Sequence, residues 1–209
     1  GMMGKWHIGF REGLRPHERG FDETYVFHSG ARSFYPKSTR RNNAPLMRNG
    51  KPFEGETEYL TDAFARESVL FIEKNKKGPF FLYLAFNAVH APLEATAKYE
   101  QRFTDITNRK RKTYAGMLSA MDDAVGRVLA KLREHKLEKN TVVFFYSDNG
   151  GPTAQTTSRN DPLRGYKGQF FEGGIRIPFV VQWKGSLPEG EVYHEPVRGF
   201  DVHATALAA

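Results

Sequence analysis

Cysteine is absent from all 209 residues, which excludes disulfides, thiolate metal sites and a thiol nucleophile together. The redox compartment is left open by the same absence. Long apolar runs are also missing. Nothing in the chain approaches the roughly 18 residues needed to cross a bilayer, so no membrane span is expected, and no charged-then-apolar leader opens the sequence. Internal repeats and low-complexity linkers are lacking as well. The formal charge is +7, but no basic reading motif accompanies it, so nucleic acid is not expected as a partner. The densest basic run, Arg109-Lys110-Arg111-Lys112, opens a helical pattern and reads as a solvated face.

What is present suits a packed core: 39% of residues are hydrophobic and 13% aromatic, enough for one sizeable core in a chain of this length. The chain reads as one unit spanning 1–209, with loops over 10–56 and an α/β core portion over 57–209. Both ends read as cut, because Gly1-Met2-Met3-Gly4 runs straight into a motif with no preceding strand and Ala204–Ala209 stops in a starting helix. Residues 10–56 are rich in Gly, Pro, Arg, Asn and Ser without periodicity, which reads as long loops over a sheet edge. Loops of that length in a compact domain are usually functional.

Patterning sharpens from Thr57 onward. Leu60, Phe64, Leu70 and Phe71 predict a helix ending near Asn75, before the Lys76-Lys77-Gly78-Pro79 break. Phe80–Phe86 is a continuous apolar run of strand length, as for a strand buried on both faces. Tyr114, Met117, Leu118, Met121, Val125, Val128, Leu129 and Leu132 recur at three and four and predict a helix over 111–135. Thr141–Tyr146 is a second buried-type strand and Ile177–Trp183 a third. Strand, long helix and strand imply an α/β fold with a mainly parallel sheet sandwiched by helices. The strands near 80–86 and 142–147 are expected in one sheet with the 111–135 helix on a face, and ligands are expected beyond the carboxyl ends of the strands.

Chemistry-bearing residues follow those strand ends. Asn87-Ala88-Val89-His90-Ala91-Pro92 places an imidazole after the first strand, and Ser147-Asp148-Asn149-Gly150-Gly151 places a carboxylate and an amide after the second. Asp148 and Asn149 are hard oxygen donors of the kind that suit Ca²⁺, or Mg²⁺ as the alternative ion, although the same residues also make good turns. His90 can equally serve a backbone hydrogen bond. In Gly4-Lys5-Trp6-His7-Ile8-Gly9, Lys5 and His7 stand at alternate positions, which in an extended segment point the same way. The stretch Leu163–Gly168 followed by Glu172–Pro178 is dense in glycine and delivers Lys167, a point charge for a tetrahedral anion. The plain alternatives are an exposed loop lysine at 167 and a buried structural histidine at 7.

Taken in order, these segments resemble a known family. Gly4–Gly9 is similar to the GKWHLG segment of the formylglycine-dependent sulfatases of the alkaline phosphatase superfamily, with Ile8 in place of Leu. Arg19-Gly20-Phe21-Asp22 resembles the family's RGFD, Pro79–Pro92 its PFFLYLAFNAPHAP, Ser147–Gly151 its SDNGG and Leu163–Pro178 its LRGxKGxxxEGGxRVP. The resemblance implies an alkaline-phosphatase-like fold and hydrolysis of an aryl or carbohydrate sulfate ester, with a sulfated glycan among the candidate substrates. It also implies a periplasmic or secreted protein. By motif, Asp148 and Asn149 would be metal ligands, and Lys5 and Lys167 would neutralise sulfate oxygens. His90 would be the general acid at the leaving group, and His7 would act at the formylglycine hydroxyl.

Formylglycine is made by a modifying enzyme from a Cys or Ser in a C/S-x-P-S-R segment, and this chain contains neither a Cys nor such a segment. The chain by itself is therefore expected to be inactive, the activity belonging to its parent protein. Two other readings compete with the sulfatase. One is a phosphatase or phosphonate monoester hydrolase of the same superfamily, and the other is a non-catalytic module that binds sulfated glycans.

Overall fold

A computed structural model describes residues 1–40 and 43–209, so positions 41–42 of the expected loop region lie outside the described residues. The chain forms two compact units, one of Gly1–Lys131 with Pro152–Arg159 and the other of Leu132–Gly151 with Asn160–Ala209.

In the first unit, β1 (Met2–Lys5) pairs in parallel with β2 (Thr24–Phe27) and, on its other side, with β5 (Tyr83–Ala85). Two short antiparallel strands, β3 (Met47–Arg48) and β4 (Lys51–Pro52), extend the edge and complete a five-stranded mixed sheet of order β4-β3-β2-β1-β5. The strand pleat sorts the side chains by alternation. Met3, Tyr25 and Phe27 join one buried cluster, whereas Met2 and Val26 join another with Trp6. Helix α1 (Leu60–Asn75) supplies Leu60, Ala63, Phe64 and Phe71 to the first cluster. Its expected apolar face is present except for Leu70, which is exposed.

The short helix α2 (Ala97–Glu100) contributes the buried Tyr99, and α3 (Arg109–Glu134) contributes Met117 and Ala120 to a third cluster. That cluster also holds Phe34 and Tyr59 and is flanked by Ala88, Val89 and Leu93. The N-terminal half of α3 thus packs on the segments that follow β2 and β5, and the helix in the strand-face cluster of Met3, Tyr25 and Phe27 is α1.

The expectation of long loops over 10–56 is modified by β2, β3 and β4. Thr24–Phe27 is buried throughout, but four residues between turn signals are too few to show a period. The β3–β4 hairpin turns at Asn49-Gly50, with φ of 48° and 78°. Positive φ at both positions is the twist-matched geometry that this dipeptide favours. Asn49 also ties the turn to β2, because its Oδ1 accepts from the Thr24 amide at 2.7 Å.

The second unit holds β6 (Val143–Tyr146) and β7 (Phe179–Gln182), antiparallel in a two-stranded sheet. Three short helices complete the order: α4 (Thr153–Thr156) in the first unit, then α5 (Glu172–Ile175) and α6 (Asp201–Ala208) in the second. The expectation that the strands near 80–86 and 142–147 share one sheet is therefore corrected, since β5 is hydrogen-bonded to β1 and β6 to β7. An apolar run identifies a strand but carries no information about which neighbour it pairs with. The strands are also less buried than their composition suggests. Every residue of β5 is half-buried, and Phe145, Val180 and Val181 are exposed, as a two-stranded sheet leaves faces and edges to solvent. Among the described residues no helix is long and apolar enough to cross a membrane.

Candidate active site

The carboxyl end of the parallel strands collects one half of the expected residues. Lys5 is the last residue of β1, paired in register with Phe27 at the end of β2. His7 follows, but the extended reading of this segment is corrected here: His7 has φ of 53°, so side-chain alternation does not continue through it. The plain alternative of a buried histidine also lapses, since His7 is exposed while Trp6 is buried and donates its indole N–H to the Leu14 carbonyl at 2.9 Å. The His7 imidazole lies against Gly30, where a Cβ would come within 2.6 Å of the ring. His90 stands after β5, half-buried, with Nδ1 at 2.7 Å from the Ala91 carbonyl oxygen and its amide donating to the Asn87 carbonyl at 2.8 Å. Lys5, His7 and His90 thus stand at one end of one sheet.

Three further residues at that end went unassigned in the sequence. Asn87, two residues past β5, is buried, and neither side-chain polar atom has a protein partner. His28, directly after β2, has its Nε2 in the same condition. Burial holds the His28 imidazole below its ordinary pKa, and the charges of Arg15 and His17 act in the same sense. Arg32 is buried over Phe27, and burial lowers its pKa as well. Buried polar groups are normally satisfied, so the Asn87 amide and His28 Nε2 mark this strand end as a candidate polar site. Asn87 could have been noticed from the sequence, because an amide closing an apolar strand is unusual. His28 and Arg32 could not, because β2 itself was not visible.

The segment after His90 is fastened to the loop after β2 by one carboxylate. Glu94 Oε2 accepts from the Ser33 hydroxyl at 2.6 Å and from the Phe34 amide at 2.8 Å, and Oε1 pairs with Arg40 at 2.8 Å. Beside it lies a cavity of about 510 Å³ lined by Tyr35, Glu94, Ala95, Glu100, Arg109 and Thr113 among others.

The second unit holds the other half. Asp148 and Asn149 follow β6, Asp148 exposed and Asn149 half-buried. The Asn149 amide donates to the Gly150 carbonyl at 2.9 Å, so Oδ1 is its ligand-type atom. The Ser147 hydroxyl donates to the Asn149 carbonyl at 2.9 Å and tightens the turn. This loop interlocks with the glycine-dense segment around α5: the Gly150 amide donates to the Gly174 carbonyl at 2.9 Å, and the Gly173 amide donates to the Arg164 carbonyl at 2.7 Å. Lys167 lies half-buried between Gly165 and Gly168 in the same interlocked set. One carboxylate and one amide oxygen fit a hard divalent cation in type, but they fall short in number of the six to eight oxygens that Ca²⁺ takes. For formylglycine no residue of this chain fits, since there is no cysteine and no Ser-x-Pro-Ser-Arg segment.

The model of the Sulfatase family matches residues 1–209. The chain belongs to the sulfatase family. Relatives agree: N-acetylgalactosamine-6-sulfatase of Sus scrofa is 34% identical across 99% of this chain and 41% of its own length. Arylsulfatase J of Mus musculus is 33% identical across 99% of this chain and 36% of its own length. Among solved structures, Ps i-CgsB in complex with k-i-k-neocarrahexaose superposes with a TM-score of 0.93 at 40% identity, covering 99% of this chain and 49% of that one. The PsFucS1 sulfatase from Pseudoalteromonas sp. superposes at 0.67 with 28% identity, over 88% of this chain and 42% of that one. The chain therefore spans less than half the length of each of these proteins, and its mixed sheet with helices is a portion of an alkaline-phosphatase-like fold.

Proposed function

We propose that a full-length protein carrying this chain hydrolyses a sulfate monoester, and that this chain contributes the charge, the proton donor and part of the metal site. Sulfuryl transfer breaks the bond between sulfur and the ester oxygen. Its barrier is lowered by fixed positive charge at the sulfate oxygens and by a proton for the departing alcohol. Lys5 and Lys167 supply the charge, and His90 gives its proton to the leaving oxygen. His7 stands near the same sheet end, where it would act at the hydroxyl of the nucleophile. Asp148 and Asn149 would hold Ca²⁺, with Mg²⁺ as the alternative, together with carboxylates from elsewhere in the protein. When bound, such an ion would polarise sulfate oxygens, and the nucleophile would have to come from a part of the protein outside this chain.

The observation that supports this most directly is the interlocked loop pair of the second unit, which holds Asp148, Asn149 and Lys167 through backbone contacts at Gly150, Gly173 and Gly174. Two loops fastened this tightly keep an anion-neutralising lysine at a set distance from a cation-binding pair, as a preorganised site requires. A sulfated glycan is the favoured substrate class. Ps i-CgsB is complexed with k-i-k-neocarrahexaose, an oligosaccharide. In this chain the cavity beside Glu94 offers the half-exposed ring of Tyr35, the Glu100 carboxylate and the Arg109 guanidinium. An aromatic face, hydroxyl acceptors and a cation together suit an anionic sugar. A secreted or periplasmic location and processing by a formylglycine-modifying enzyme accompany the reading.

The test is an assay of the full-length protein, produced with its modifying enzyme, on an aryl sulfate and on the matching aryl phosphate. Turnover of the sulfate, abolished by Asp148→Ala and by Lys167→Ala, is expected. Preferential turnover of the phosphate would replace the reading with a phosphatase, and no turnover of either would leave a binding module.

A further inference from the structure

The Asn160 side chain joins the backbone of the metal-pair loop to that of the lysine loop. Its Oδ1 accepts from the Gly151 amide at 2.9 Å, and its Nδ2 donates to the carbonyl of the same residue at 3.0 Å. The amide group thus pairs with both backbone groups of Gly151, as a neighbouring strand residue would. The second Nδ2 hydrogen is used too, on the Gly165 carbonyl at 3.1 Å. Gly151 closes the Ser147–Gly151 turn that carries Asp148 and Asn149, and Gly165 stands two positions before Lys167.

Chemistry restricts what can do this. A planar group with one acceptor and two donors is required, at the reach of a single methylene. Aspartate keeps the acceptor but loses both donors, and it brings a negative charge against two carbonyl oxygens. Serine and alanine cannot span the two loops. The hydrogen bonds are between neutral groups, each contributing on the order of 1 kcal/mol to folding, and together they also fix the spacing of the two loops. The value of the amide is geometric: ligand loops held by outer contacts bind metal more tightly and more selectively.

We infer that Asn160 is a positioning residue that sets the Asp148–Asn149 metal pair against Lys167, and so tunes divalent-cation affinity without touching the ion. The inference rests on the sulfatase reading above and goes beyond it in assigning a role outside the ligands and the charged groups. The test uses the full-length, formylglycine-bearing protein with Asn160→Ala and Asn160→Asp. Each is titrated with Ca²⁺ while the melting temperature and the turnover of an aryl sulfate are read separately.

The expected result is a calcium midpoint raised about tenfold or more in both readouts, the range found when outer contacts of metal ligands are removed. Turnover should be restored in part by excess calcium. A variant that melts lower at every calcium concentration but keeps the wild-type midpoint overturns the inference, because Asn160 would then serve the fold only. Failure of both variants to fold overturns it equally. If the wild-type protein shows no calcium-dependent sulfatase activity, the functional reading fails first, and the thermal midpoint still reports whether Asn160 governs cation binding.

Discussion

Gly150 and Gly173 meet backbone to backbone, so closely that a Cβ on Gly150 would lie 1.8 Å from the Gly173 carbonyl oxygen. No side-chain rotation relieves a contact with main chain. Gly150→Ala is therefore expected to push the Asp148–Asn149 loop off the α5 segment and to destabilise the protein by about 1–3 kcal/mol, the usual cost of forced overpacking. Gly126→Ala is the contrasting change. Gly126 is exposed in α3 with open space around it, so alanine should stabilise by up to about 1 kcal/mol through helix propensity. Thermal melts of the two variants check both signs at once.

A buried ion network predicts the acid limb of the stability curve. Glu56 accepts from the Tyr25 hydroxyl at 2.6 Å and pairs with Arg66 at 2.6 Å, while Glu67 pairs with Arg48 at 2.8 Å and with Arg66 at 2.9 Å. Burial by itself raises both carboxyl pKa values, but these hydrogen bonds outweigh it and hold each below the ordinary value of 4.5. A depressed folded-state pKa gives stability that is complete above the unfolded value and is lost as pH falls through the folded one. The melting temperature should hold near neutrality and drop on acidification below 4.5. Glu56→Gln should melt lower at neutral pH and show a shallower acid drop. An acid limb unchanged by the substitution would assign it to other carboxylates.

Helices were the legible part of this fold. α1 and α3 announce themselves because a face repeated every three to four residues over four or more turns is hard to produce otherwise. β2 carries no such mark, since four buried residues have no measurable period, and the Asn49-Gly50 turn signal was lost among the other glycines of 10–56. Strand pairing was the real gap. Phe80–Phe86 reads plainly as a strand, yet its partner is Met2–Lys5, some 80 residues away. The site divides similarly. Lys5, His7, His90, Asp148, Asn149 and Lys167 were drawn from motif order, whereas Asn160 escaped because any loop asparagine looks alike until its backbone partners are known.

Arg109 and Tyr35 should separate large substrates from small ones. The Arg109 side chain is 84% exposed at the N-terminus of α3 and only loosely paired with Glu100 at 3.6 Å, and Tyr35 presents a partly open ring. If the cavity between them takes a sugar, Arg109→Ala and Tyr35→Ala in the full-length protein should raise KM for a sulfated oligosaccharide by about tenfold, as losing roughly 1.4 kcal/mol of contact would. KM for an aryl sulfate should be unchanged. Equal effects on both substrates would show a general disturbance of the loop held by Glu94.

Calcium binding by the 209-residue chain alone should be weak. Asp148 and Asn149 offer one full charge between them, and extracellular modules poor in ligands bind in about the 10⁻⁴–10⁻³ M range. Calorimetry is expected to give a dissociation constant of about millimolar, with no hydrolysis of an aryl sulfate because no nucleophile is present. Micromolar binding would mean that the cation-binding pair draws on other ligands within this chain.

The role of His90 is best read through the leaving group. A general acid matters most when the departing oxygen is a poor anion, because then the proton must arrive as the bond to sulfur breaks. A sugar hydroxyl is such a group, and an activated nitrophenol is not, since its anion is already stable in water. His90→Ala in the full-length protein should therefore slow hydrolysis of a sulfated sugar by about 10²–10⁴-fold, the usual range for this kind of catalysis, and that of a nitrophenyl sulfate far less. The dependence of rate on leaving-group basicity should steepen across a series of phenyl sulfates. Lys5→Ala gives the control: charge at the sulfate oxygens acts on every substrate alike, so its loss should lower all rates together and leave that slope unchanged. If His90→Ala also lowered all rates equally, His90 would be a sulfate-binding residue, and the proton donor would have to be sought among His7 and His28.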